Sequence, residues 1–145
     1  MKENPYFQEK EFRCKCCGKL PKGMPPDELV DVLVEIREHF GKPLIINSPY
    51  RCPENNKRNN GASRSRHLVG DAVDFIIKDV PTKEVFKHVL QTYNDKSYGI
   101  ALSINQYNEF GGFVHLDTRG YKARWSYNKD GEAYVAELKK ELNLA

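Results

Sequence analysis

No stretch of this 145-residue chain approaches the ~18 consecutive apolar residues that a bilayer-spanning helix requires, which excludes a membrane span. A large excess of one charge is also missing. Lys and Arg number 23 against 20 Asp and Glu, a net charge of +3 that demands no nucleic-acid partner. There is no internal repeat, low-complexity segment or linker, so residues 1–145 are expected to form a single domain of ordinary size. The first residues, Met1-Lys2-Glu3-Asn4-Pro5, lack the apolar core of a secretory signal. Cysteines are few, namely Cys14, Cys16 and Cys17 in one cluster and Cys52 apart from it. Their spacing is too tight for the usual paired Cys-x-x-Cys zinc motif, and without a signal, disulfides are not expected. Two readings stand for these thiols: a second, structural zinc held by some of Cys14, Cys16, Cys17 and Cys52, or free buried thiols.

What is present is the pattern of an ordinary soluble protein, 39% hydrophobic and 30% charged. Residues 26–40 read as the clearest helix, with Asp27 as its cap and Leu29, Val32, Leu33, Ile36 and Phe40 on one face until Gly41 stops it. A second helix is expected over 81–93 and a third from 131 on, with Tyr134, Val135, Leu138 and Leu142 on one side. Residues 43–48, 72–77, 98–104 and 113–117 read as strands. The polar, basic stretch from Pro53 to Arg66 reads as a solvated loop, with a wall of the substrate cleft as its other reading, and residues 1–13 as an arm held by its aromatics. This order predicts an α+β fold, a small antiparallel sheet with helices packed behind it.

Candidate chemistry begins at His67 and Asp74. They stand seven residues apart with Gly70 between them, which suits a turn carrying His67 that bends into a strand carrying Asp74. Asp74 interrupts an otherwise apolar run, Ala72-Val73-x-Phe75-Ile76-Ile77. A carboxylate buried there without a partner costs several kcal/mol, and a cation would remove the cost. Read alone, the pair also fits a salt bridge or a turn cap. A third residue strengthens the metal reading. Phe113, His115 and Asp117 share one face of a short strand. His67, Asp74 and His115 would then form a three-ligand site with an open fourth position, the catalytic rather than the structural pattern for zinc.

These residues carry a family resemblance. Ser65-x-His67-x-x-Gly70-x-Ala72-x-Asp74 and Phe113-Val114-His115-Leu116-Asp117 resemble the two halves of the signature of the zinc D-Ala-D-Ala carboxypeptidases and dipeptidases, in their bacterial and phage branch. That family is grouped with lysostaphin-like endopeptidases and the hedgehog domain. Glu11-Phe12, the Cys14 cluster and the segment from Gly41 to Arg51 extend the likeness over about the first 125 residues. The resemblance implies one catalytic zinc and a peptidoglycan stem-peptide substrate. It also implies that Arg51 binds the substrate's terminal carboxylate and that Ser65 hydrogen-bonds the substrate; read alone, Arg51 also fits a surface salt bridge and Ser65 a loop cap. Pro49 stands where relatives commonly have glycine. The family's usual bases do not transfer, because Gly112 and Phe113 occupy their positions. Two general-base candidates remain: Asp117, preferred because it shares a strand face with His115 but also placed to orient a metal-binding histidine or to pair with Arg119, and Glu109, at an offset that resembles the hedgehog arrangement.

The function expected is therefore a D-Ala-D-Ala carboxypeptidase acting as a monomer at the cell wall after cytoplasmic synthesis, by an unspecified route. Alternatives are a phage-lysin-type endopeptidase at a nearby stem-peptide bond and a catalytically inactive wall-binding module that keeps its zinc. A nucleic-acid zinc module is disfavoured, since the basic stretch Lys57–Arg66 contains no aromatic residue to interleave.

Overall fold

The computed structural model describes residues 1–144. Five strands form one mixed sheet in the order β1-β2-β4-β3-β5. They are β1 (Leu44–Ser48), β2 (Ala72–Ile77), β3 (Gly99–Ser103), β4 (Phe113–Asp117) and β5 (Ala123–Ser126). The three pairings among β1, β2, β4 and β3 are antiparallel, and β5 joins β3 in parallel. The fold is α+β as expected, although the sheet is not antiparallel throughout.

The alternation of side chains separates core from chemistry. Val73, Phe75 and Ile77 of β2, Ile100 and Leu102 of β3, and Val114 and Leu116 of β4 all lie in the hydrophobic core. Cross-strand register places Val73 opposite Leu116, Phe75 opposite Val114, and Ile100 opposite Leu116. The opposite face carries Asp74, His115 and Asp117, so the central strands are buried on both sides. Two helices cover the apolar face. Helix α1 (Asp27–Phe40) buries Leu29, Val30, Val32, Leu33 and Ile36. Helix α3 (Thr82–Thr92) buries Val85, Phe86, Val89 and Leu90. Helix α4 (Lys129–Glu141) lies against β5 and buries Val135 and Leu138. Truncating Phe75, fully buried directly behind Asp74 in the chain, is expected to cost about 3–5 kcal/mol. A urea unfolding curve of Phe75→Ala checks this as a lowered midpoint with an unchanged slope.

The N-terminal arm is held as expected by two buried rings, Phe7 and Phe12, whose centroids are 6.3 Å apart edge to face. Several local expectations need correction. Asp27 is the first helical residue, and Pro26 occupies the cap without a side-chain hydrogen bond. Gly41 does end the helix as expected, in the left-handed region at φ 64°. The stretch after Pro53 is not all loop, because Pro53–Arg58 forms helix α2. Pro53 presets the first turn, and Glu54 and Arg58 pair along its exposed side. Helix α4 starts two residues before the expected position because Asn128 caps it, its Oδ1 accepting from Gly131 N at 3.2 Å. Among the described residues no helix is long and apolar enough to cross a membrane.

Candidate metal centre

A 3-10 turn, Arg66–Leu68, delivers His67. Ser65 caps that turn, its Oγ accepting from His67 N at 3.2 Å. The chain then reverses through Gly70 at φ +97°, where a Cβ would also press on Met24. Only glycine takes that conformation without strain. The bend aims β2 so that Asp74 lies opposite His115 of β4 in the antiparallel register. Opposed residues on one face bring their Cβ atoms to about 5 Å, and here the side chains meet.

Asp74 Oδ1 lies 2.9 Å from His115 Nδ1 and 3.1 Å from His67 Nε2. One donor atom from each of the three residues falls within 4.8 Å of the others. All three residues are buried. The outer ring nitrogens are engaged as well. His67 Nδ1 lies 2.9 Å from the Pro49 carbonyl oxygen, and His115 Nε2 lies 2.7 Å from Asp117 Oδ2. A carbonyl and a carboxylate can only accept there, so each ring places its N–H outward and leaves the inner nitrogen for a cation. Two imidazole nitrogens and one carboxylate oxygen converging on a point open to a cleft suit zinc in both ligand type and number.

The electrostatics follow from the same contacts. Burial pushes the Asp74 carboxyl up, but when the inner nitrogens of His115 and His67 also carry protons, their hydrogen bonds and charges outweigh it and hold it at about 2; a cation at the same point would take the place of those protons. For His115, burial favours the neutral ring, and its bonds to Asp117 and Asp74 reverse that and raise it.

Asp117, expected as general base, instead stands behind His115 with no exposure to solvent. Its oxygens accept from His115 Nε2, from Gly99 N at 3.1 Å, and from Arg119 through N, Nε and Nη2 at 3.1, 2.9 and 2.7 Å. Burial would raise its pKa, and the Arg119 and His115 bonds drive it well below the carboxylate range instead. No lone pair is left to take a proton from the cleft. The strand opposite makes room for this carboxylate, since a Cβ on Gly99 would collide with it. Glu109, the other base candidate, is exposed and lines a separate groove with Pro81, Thr82 and Lys83. Asp74 is the one carboxylate among the described residues lining the cleft.

That cleft holds about 810 Å³ beside Asp74 and His115. Its lining includes the aromatic residues Phe113, Trp125 and Tyr127 and the basic residues Arg51, Arg64, Arg66 and Arg119. Arg51 Nη2 donates to Ser65 Oγ at 3.4 Å, while its Nε is buried without a partner. Sequence reasoning missed Trp125, Tyr127 and Arg119 as cleft residues. The Trp125 ring sits 5.2 Å from that of His115 and carries the Arg119 guanidinium over its face at 4.7 Å. They belong to β5 and the segments on either side of it, where a four-residue strand left only the basic-aromatic composition as a signal. Desolvation, with the charge of Asp74, pushes the Tyr127 phenol well above its ordinary value and keeps it protonated.

Asp117→Asn is expected to weaken zinc binding about tenfold, in the range for partners that orient a metal-binding histidine. Competition with a chromophoric chelator measures this, and the overall fold should persist because the amide can still accept from Arg119.

Comparison with curated proteins returns no match for this chain. A protein-family model described as Peptidase M15 matches residues 5–117, a span that contains His67, Asp74 and His115 together with strands β1 to β4 and the turn that carries His67. The chain therefore belongs to the zinc D-Ala-D-Ala carboxypeptidase-like peptidase family M15.

Proposed function

We propose that the protein is a zinc-dependent peptidase that hydrolyses peptidoglycan stem peptides, acting as a D-Ala-D-Ala carboxypeptidase. The observation that carries the carboxypeptidase assignment is the partnerless, buried Nε of Arg51 in the same cleft as the His67–Asp74–His115 cluster. A buried N–H without an acceptor is costly, and a substrate carboxylate removes that cost with the paired geometry a guanidinium favours.

Zinc held by His67, Asp74 and His115 would supply Lewis acidity to the scissile carbonyl and to an attacking water. The protein's own residues divide the remaining work. Arg51 fixes the terminal carboxylate and so sets which bond lies over the centre. Ser65 holds the turn of His67 and steadies Arg51 with the same oxygen. Asp117 fixes the tautomer and orientation of His115. Tyr127, kept protonated, is the donor available to the oxygen that gains negative charge. Arg66 and Arg119 are paired with Asp71 and Asp117, which leaves Arg51 and Arg64 of the lining to attract an anionic stem peptide.

The test is incubation of the zinc-loaded protein with a defined muropeptide ending in D-Ala-D-Ala. Free D-Ala supports the reading. A new internal amine without D-Ala supports an endopeptidase instead. The lack of any carboxylate besides Asp74 among the described cleft residues favours a second reading, a zinc-containing wall-binding module, for which neither product forms. Glu109→Ala is expected to leave turnover within about twofold, because surface substitutions away from a site change little. The same D-Ala assay checks it.

A further inference from the structure

Away from the cleft, the four cysteines gather at one place. The Sγ atoms of Cys14, Cys17 and Cys52 lie within 4.8 Å of one another. The run Cys14-Lys15-Cys16-Cys17, too crowded to read as a pair from spacing alone, folds so that Cys14 and Cys17 act as a Cys-x-x-Cys pair. Gly18 N donates to Cys14 O at 2.7 Å, and Gly18 turns the chain at φ +71°. Cys16, on the same turn, stands outside that three-sulfur group with its thiol near that of Cys52. N–H donors already point at the sulfurs. Cys52 N and Asn55 Nδ2 reach Cys14 Sγ at 3.4 and 3.5 Å, and Arg58 Nη1 reaches Cys16 Sγ at 3.4 Å. Free buried thiols do not describe this cluster, since Cys14 is buried but Cys16 and Cys17 are exposed and Cys52 is intermediate. Apolar packing accounts for a cysteine in a core, not for two at the surface turned toward a third.

We propose that Cys14, Cys17 and Cys52, with Cys16 as the fourth ligand, form a second, structural zinc site. Tetrahedral zinc with sulfur at about 2.3 Å needs sulfurs ~3.8 Å apart, which side-chain rotation reaches from the present separation. Four thiolates close the coordination shell, the pattern of a structural rather than a catalytic site. Its place in the fold gives it a task. Cys52 directly follows the turn Pro49-Tyr50-Arg51, whose Pro49 carbonyl orients His67 and whose Arg51 lies in the cleft. The backbone of that turn is tied to Phe12 O through Tyr50 N and to His67 O through Arg51 N. The thiolate site clamps the turn onto residues 14–17, and through it positions Arg51. The last step rests on the substrate-binding role given to Arg51 above; the metal site itself does not.

Zinc content per chain after dialysis of protein expressed in zinc-supplemented medium tests this. The wild type should retain about two ions, Cys14→Ser/Cys52→Ser about one, and His67→Ala/His115→Ala about one. Because the last variant leaves the cysteines intact, it keeps the test valid even where the serine variant fails to fold. Loaded with cobalt, it should show the near-ultraviolet sulfur-to-metal charge-transfer absorption of a thiolate site, and a chelator should lower its unfolding temperature. One ion in the wild type, with no charge-transfer band in cobalt-loaded His67→Ala/His115→Ala, would overturn the proposal. So would a non-reducing mass showing the cysteines paired as disulfides. An inactive wild type that still binds two ions would refute the peptidase reading and leave this one standing.

Discussion

Asp74→Asn is expected to abolish hydrolysis, by at least about a thousandfold in kcat/KM, which corresponds to about 4 kcal/mol of transition-state stabilisation. The substitution changes one atom and keeps the volume, so β2 should form as before. What changes is the donor set. Asp74 Oδ1 is the shared neighbour of His67 Nε2 and His115 Nδ1, at 3.1 and 2.9 Å, and it is the one anionic group of the three. An amide retains a weak acceptor oxygen but brings no charge to offset a divalent cation, and it introduces an NH2 where a metal would sit. Zinc content and D-Ala release should fall together while the far-ultraviolet circular dichroism is unchanged. Loss of activity with zinc retained would mean that the carboxylate acts in some way other than holding metal.

Arg51→Ala should lower kcat/KM by about a hundredfold for a stem peptide with a free C-terminal carboxylate, with most of the loss in KM. A charge-assisted hydrogen-bond pair contributes about 1.5–3 kcal/mol, and each decade of rate or affinity is about 1.4 kcal/mol. The side chain is already held in place by Ser65 Oγ, and its backbone N donates to His67 O at 2.9 Å. Little ordering entropy is then left to oppose binding. A C-terminally amidated peptide supplies the control, since wild type and Arg51→Ala should handle it alike. Arg51→Lys should recover only part of the loss because an ammonium lacks the paired donors. Equal losses on free and amidated substrates would show that Arg51 supports the turn of His67 and does not read the carboxylate.

The residues of the metal centre were legible because each breaks a local pattern. Asp74 is a charge inside an apolar strand, and His115 lies on the polar face of an alternating one. Once β2 and β4 pair, the register that buries Val73 and Phe75 against Leu116 and Val114 forces Asp74 opposite His115. Helices α1 and α3 were legible for a similar reason, an apolar stripe at the helical period. Helix α2 has no such stripe, for Pro-Glu-Asn-Asn-Lys-Arg carries no apolar residue after its proline. Strand β5, four half-buried residues, is too short for alternation to register.

The positions of the two base candidates were harder to read, for a different reason. Alternation correctly put Asp117 on the face of His115, but it says nothing about depth. Gly99 opposite and Arg119 beside it draw that carboxylate behind the ring rather than into the cleft. Nor does a loop sequence tell which groove Glu109 will border. The cysteine cluster was ambiguous because its closing member, Cys52, is distant in sequence and reaches the others only through the fold.

The most direct test of the central claim is a zinc titration of metal-stripped protein, following D-Ala release from a D-Ala-D-Ala stem peptide in wild type and Asp74→Asn together. Activity absent without metal, restored in wild type as zinc is added, and not restored in Asp74→Asn is the predicted result. Full turnover by the stripped wild-type protein, or equal recovery in Asp74→Asn, would contradict it.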